Sequence, residues 1–180
     1  MPHLYRLVLA LVGTAWTTIA FADKPNESLH VTIEIPKINV SEYHRPYVAA
    51  WIQDENRKAV ANLAVWYQMK DSKEGAGTKW LPDLRQWWRR SGRSLEMPVD
   101  GVSGASRPAG EHALSFALDD PRWENMPAGK YILFVEAARE VGGREVLEIP
   151  FDWPITKDFS TKVTGKEELG EVSLKLHPAD

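Results

Sequence analysis

Residues 100–106, Asp100-Gly101-Val102-Ser103-Gly104-Ala105-Ser106, bring a carboxylate, two hydroxyls and two glycines into one short stretch. A hydroxyl can form an ester, and glycine leaves the backbone open to close approach. The spacing is neither GxGxxG nor Walker A, so those phosphate cradles are excluded. A plain Gly/Ser turn capped by Asp100 is the other reading of the same residues. Among the histidines, His44 in Tyr43-His44-Arg45-Pro46-Tyr47 has the least ordinary setting. It is either a ligand-facing residue or a loop residue entering a strand. His112 falls on an apolar strand face and reads as a hydrogen-bonded structural histidine. His30, His44, His112 and His177 are far apart in sequence and HExxH is absent, so no metal site is expected. Gly-x-Ser-x-Gly is also absent, and the adjacent Asp119 and Asp120 suit a turn. No residue is therefore assigned as acid, base or nucleophile toward a substrate.

Trp87-Trp88-Arg89-Arg90 invites a nucleic-acid reading through stacking and phosphate contact. Two facts oppose it. The phase of Leu81, Leu84, Trp87 and Trp88 is that of one helix face, which turns both Trp rings inward and leaves a basic rim. The formal net charge of the chain is −3, so bulk electrostatics favour no polyanion. Pro82 and Asp83 suit the first turn of that helix, Arg89, Arg90 and Arg93 its last, and Gly92 its stop.

The elements that must carry these residues are mostly strands. Leu29, Val31, Ile33 and Ile35 alternate with polar residues, which is the pattern of a half-buried strand. Residues 47–53 and 59–67 are apolar runs joined by the polar turn 54–58, a hairpin. Residues 112–118, 131–139, 145–153 and 172–176 complete seven strands, with 96–110 a loop and 154–171 a polar linker. Turn signals between short strands indicate a mainly β, antiparallel β-sandwich with one short helix in a connection; Pro127-Ala128-Gly129-Lys130-Tyr131 resembles a stretch of immunoglobulin-like modules, which implies an immunoglobulin-like sandwich. The composition, 43% hydrophobic and 26% charged, excludes disordered and multi-span membrane classes. The absence of Cys removes disulfides, thiol catalysis and cysteine-ligated metals together. Eight Trp in 180 residues supply more flat apolar surface than a chain of this size ordinarily carries.

Residues 1–22 are expected to be a secretory signal: His3 and Arg6, an apolar run from Leu7 to Val12, and Ala20-Phe21-Ala22 as a small-x-small cleavage site. The single sandwich domain then occupies residues 23–180, in a periplasm.

The loop 100–106 resembles the acceptor motif of exported flavoproteins modified by ApbE-type flavin transferases, Asp-x-x-(Ser/Thr)-Gly-Ala-(Thr/Ser). Asp100, Ser103, Gly104, Ala105 and Ser106 fill its fixed positions, with Ser where the motif prefers Thr. The resemblance implies FMN joined through its phosphate to the Ser106 hydroxyl. It gives Gly104 and Ala105 the role of admitting the transferase, Asp100 that of orienting the loop or assisting the transferase's metal, and Arg107 that of pairing with the linked phosphate. Further stretches, including residues 43–52, 79–89 and 135–143 with Pro127-Ala128-Gly129-Lys130-Tyr131, resemble a bacterial family of predicted periplasmic proteins of unknown function, associated with PepSY-type membrane proteins and flavin transferases. The resemblance implies a periplasmic electron carrier rather than a self-sufficient enzyme. Its donor would be a PepSY-type or haem partner, and its flavin ring would rest against His44 or Tyr47. The rival expectation is a non-redox binding module, without cofactor, that uses its aromatic face for a partner.

Overall fold

The computed structural model describes residues 28–178 apart from Glu74 and Asn125. The expected signal segment, 1–22, lies outside the described residues. Nine strands form two sheets: β1 (Ser28–Ile35), β2 (Tyr47–Asp54), β3 (Ala59–Tyr67), β4 (Ser103–Ala105), β5 (Gly110–Ala117), β6 (Gly129–Ala138), β7 (Arg144–Trp153), β8 (Phe159–Thr164) and β9 (Glu171–His177). One sheet has the order β5-β1-β9-β8 and the other β4-β3-β2-β6-β7.

The alternation in β1 sends Leu29, Val31, Ile33 and Ile35 into the core between the sheets, where they meet Val48, Ala50, Ile52, Leu133 and Val135 of the larger sheet. The polar partners of that alternation face outward, the period-2 geometry of a strand covered on one side. β2 behaves differently. Its odd-numbered Ala49 and Trp51 are as buried as its even-numbered residues, but they belong to a second apolar cluster on the outer face of the five-stranded sheet. That face is covered by a 3₁₀ helix (Gly77–Asp83) and by α1 (Arg85–Arg90), which contribute Leu81, Leu84 and Trp87. A strand buried on both faces reads as a continuous apolar run, which is why 47–53 lacks alternation. The molecule is thus sheet, sheet and helical cover, with each buried Leu of the cover contributing about 1.5–3 kcal/mol as an upper bound.

The helix expected over 81–90 is divided. Leu84 has φ −74° and ψ 68°, outside the helical region, so the chain re-enters helix only at Arg85. The cause lies in β6. The fully buried carboxylate of Glu136 accepts the backbone N–H of Gln86 (3.0 Å) and of Trp87 (2.7 Å), and Arg144 Nε donates to it at 2.6 Å. It satisfies two of the free donors of the first helical turn and fixes where that turn begins. Trp87 Nε1 donates to Asn62 Oδ1 at 2.9 Å, locking the ring over β3. As expected, Trp87 is core and the arginines are exposed; Trp88 is half-buried.

Two strands correct the seven-strand expectation. β8, within the expected polar linker, pairs antiparallel with β9 from Phe159 opposite Leu176 to Thr164 opposite Glu171. β4, within the expected loop, pairs with β3 in parallel, Val65 opposite Ser103 through Tyr67 opposite Ala105, so the sandwich is not wholly antiparallel. Ser-Gly-Ala presents no apolar side chain larger than a methyl group. Backbone hydrogen bonds to an exposed edge hold it instead.

Candidate functional site

The loop 100–106 takes its shape from hydrogen bonds that its own sequence supplies. Ser103 Oγ accepts the Val99 N–H at 2.9 Å, Ser103 N donates to Val99 O at 2.9 Å, and Val65 N reaches Val102 O at 2.9 Å. Gly101 sits at φ +65°, a conformation favoured for glycine, and Arg122 Nη2 donates to its carbonyl at 3.1 Å. The tie across this turn is therefore Ser103 and not the Asp100 cap expected of a plain turn. Asp100 is exposed, and no hydrogen bond or ion pair of its side chain occurs among the described residues. Gly104 packs closely against its neighbour. A Cβ there would stand 3.2 Å from Trp66 Cδ1, so the strand lies against that indole.

β4 delivers Ser106 to the end of the five-stranded sheet, where Ser106 N donates to Tyr67 O at 3.0 Å. At that end a cleft of about 640 Å³ opens. The approach to β2 lines it with His44, Arg45 and Tyr47, and the end of β3 with Tyr67, Gln68, Met69 and Lys70. The 3₁₀ helix contributes Trp80 and Asp83, β4 leads in Ala105 and Ser106, and the β6–β7 turn adds Ala138, Arg139, Glu140 and Val141. Residues about 60 positions apart are thereby joined: Arg45 Nη1 lies 3.5 Å from Ser106 O.

Of the residues singled out by sequence, the structure brings Ser106, Ala105, His44 and Tyr47 into this one cleft. Asp100, Ser103, Gly104 and Arg107 do not line it. Arg107 instead lies over the Trp66 ring, 5.4 Å from its centroid, alongside His112, whose ring meets Trp66 edge-on at 5.6 Å. The cation beside Ser106 is Arg45. His112 is the hydrogen-bonded structural residue expected, with Nε2 2.8 Å from Pro108 O. His30 and His177, distant in sequence, approach to 6.1 Å across β1 and β9. Both ring nitrogens of His30 are engaged by Ser28 and Ser115, and His177 Nδ1 meets Asp158.

The walls combine aromatic faces and charge. Tyr47 and Tyr67 meet edge-on at 6.2 Å, and the Tyr47 hydroxyl donates to Gly77 O at 3.2 Å. Burial raises the Tyr47 phenol above its ordinary value, helped by Glu140, Tyr67 and Asp83 and opposed by a backbone hydrogen bond at Gln68. Tyr47 thus remains a neutral donor at physiological pH. His44 stands between two carboxylates, with Nε2 3.0 Å from Glu42 and Nδ1 3.6 Å from Glu140. Trp80 keeps 37% of its surface exposed, an accessible indole in the wall. Sequence reasoning passed over Arg45, Tyr67 and Trp80. The first sits inside the His44–Tyr47 segment, but nothing local shows that β3 and the 3₁₀ helix end beside it.

These features define a two-sheet β protein with a helical cover and an aromatic, cation-bearing cleft at the end of its larger sheet. The chain belongs to the family described as predicted periplasmic protein (DUF2271), whose model matches residues 28–171. No curated protein and no solved structure matches it.

Proposed function

We propose that this protein is a periplasmic flavin carrier, with FMN attached through its phosphate to Ser106 by an ApbE-type flavin transferase. The observation that supports the reading is that Ser106, the residue the motif points to, lines one cleft with His44 and Tyr47. The cleft volume falls within the roughly 300–1,000 Å³ of small-molecule sites. Its residues also fit the group. Tyr47, Tyr67 and Trp80 offer faces and edges to a flat heteroaromatic ring, while Arg45, beside the attachment point, offers a planar fork of donors to a phosphate.

In the attachment step Ser106 Oγ is the nucleophile. Its new O–P bond forms as the phosphoanhydride P–O bond of a flavin dinucleotide breaks. The nucleoside monophosphate leaves with that electron pair, and the Ser106 proton passes to the transferase. Position favours the reaction, because Ser106 follows a half-buried three-residue edge strand that ends in exposed Ala105, and its backbone is fixed by Tyr67 O. Bound there, the flavin supplies reversible electron transfer. The chain's own residues would hold it: Arg45 would neutralise the phosphodiester, and Tyr47, its hydroxyl proton donated to Gly77 O, would offer its ring together with Tyr67 and Trp80. A PepSY-type membrane protein or haem partner is the proposed electron donor.

The test is covalent flavin fluorescence in a denaturing gel after co-expression with a flavin transferase. Wild type and Ser106→Thr are expected to fluoresce, Ser103→Ala to fluoresce more weakly because its turn is loosened, and Ser106→Ala not at all. Fluorescence surviving Ser106→Ala removes the proposed site. Its absence from wild type favours a non-redox binding module using the same cleft.

A further inference from the structure

The cover that walls the cleft also carries most of the uncompensated positive charge on this face. Between residues 77 and 94 stand Lys79, Arg85, Arg89, Arg90 and Arg93, against the single acid Asp83, in a chain whose net charge is −3. All five cations are exposed. No ion pair is formed by any of them among the described residues. Lys79 lies over the Trp80 ring at 4.6 Å, and Arg89 Nε reaches only the Arg85 carbonyl at 3.3 Å. Arg85 and Arg89 are a like-charge pair one turn apart, an arrangement that weakens a helix. Arg89 and Arg90 stand in the last turn, where the helix dipole favours cations, but no carboxylate of the described residues pairs with any of the five, which leaves their charge open to a partner.

We infer that this ledge, with the adjoining cleft mouth, docks an acidic protein surface, whether or not Ser106 carries a flavin. The choice of partner rests on three features. Four of the five cations are Arg, whose planar forks match carboxylates in bidentate geometry. Three of them, Arg85, Arg89 and Arg90, stand on α1, whose backbone is anchored by Glu136 and by Trp87. The apolar face of the same segment is already spent: Leu81, Leu84 and Trp87 are buried, leaving no stripe to enter a bilayer. Beside the ledge, Met69, Trp80 and Val141 are exposed by 43%, 37% and 74% around the cleft mouth. Aromatic and Met residues with Arg around them are the composition of a protein–protein contact.

The probe is a short labelled polyglutamate peptide, titrated by fluorescence anisotropy at low ionic strength and again at about 0.15 M, where the Debye length falls to about 8 Å. Wild-type protein expressed with a flavin transferase and without one is expected to bind alike, with affinity falling as salt rises. Arg85→Ala/Arg89→Ala/Arg90→Ala is expected to bind about tenfold more weakly or worse. Lys130→Ala/Lys157→Ala/Lys175→Ala, which removes exposed charge elsewhere, is expected to bind as wild type does. Circular dichroism and Trp fluorescence confirm that each variant is folded. No binding by wild type, equal loss in both triple variants, or binding only by protein co-expressed with the transferase overturns the ledge as the site. Preference for phosphatidylglycerol vesicles over the peptide replaces the protein partner with a lipid surface.

Discussion

Replacing Glu136 by Ala removes the acceptor on which the helical cover is seated. The carboxylate is fully buried and takes three donors: Trp87 N at 2.7 Å, Gln86 N at 3.0 Å and Arg144 Nε at 2.6 Å. Their losses are unequal. The Arg144 side chain is one-third exposed and regains water, and Gln86 N is half-buried, whereas Trp87 N is sealed beneath the helix and loses its partner outright. A charge-assisted hydrogen bond contributes roughly 1.5–3 kcal/mol, and removing one member of a buried ion pair costs about 3–5 kcal/mol. Because two of the donors recover in part, the expected cost lies at the low end, about 3 kcal/mol. Glu136→Gln keeps one acceptor and most of the volume, and about half that cost is expected. Urea unfolding followed by Trp fluorescence reads both values, since Trp87 moves with α1. The cleft responds too, because Trp80 and Asp83 stand on the 3₁₀ helix immediately before α1. A cost below about 1 kcal/mol for Glu136→Ala would refute this account of how the cover is anchored.

Three further outcomes are expected from the same geometry. Gly92→Ala places a Cβ 2.5 Å from Cζ3 of the fully buried Trp87 ring. Overpacking there is expected to cost about 1–3 kcal/mol by urea unfolding; a neutral result means that the ring yields. Glu145 is pushed up by burial but held below its ordinary 4.5 by the backbone N–H groups of residues 166–169, which outweigh it. A depressed folded-state value gives stability above the unfolded value that is lost as pH falls through the folded one. The urea midpoint should therefore drop from about pH 5 to pH 3 by less in Glu145→Gln than in wild type, and parallel curves would exclude this contribution. On flavinylated protein, Tyr47→Ala and His44→Ala are each expected to shift the flavin absorption bands and its potential. Unchanged values in folded variants place the ring elsewhere.

The legible parts of the fold were those where one side-chain pattern decides one structure. The β1 alternation led directly to its burial, and the turn at 54–58 is closed by Asp54 Oδ1 accepting Lys58 N, as its polar residues suggested. The inward Trp87 was evident from helical phase alone. β4 was not legible because an edge strand of Ser-Gly-Ala is specified by the backbone it lies against, and β8 because its few apolar residues are diluted among Ser, Thr and Lys. The division of the helix at Leu84 depends on Glu136, some fifty residues away, and no local propensity encodes it. The same holds for the cleft. The loop 100–106 and the His44–Tyr47 segment were each visible as residues, but their meeting depends on the parallel pairing of β4 with β3. That pairing also gives Gly104 to Trp66 and sends Arg107 to the Trp66 ring, leaving Arg45 as the cation at Ser106.

The central claim concerns one oxygen atom, and intact mass spectrometry of protein co-expressed with a flavin transferase, with fragmentation of the peptide spanning residues 99–107, tests it most directly. The account predicts a gain equal to one FMN less one water, localised to Ser106 and absent from Ser106→Ala. A gain localised to Ser103, or an unmodified mass in the presence of a transferase active on another acceptor, would contradict it.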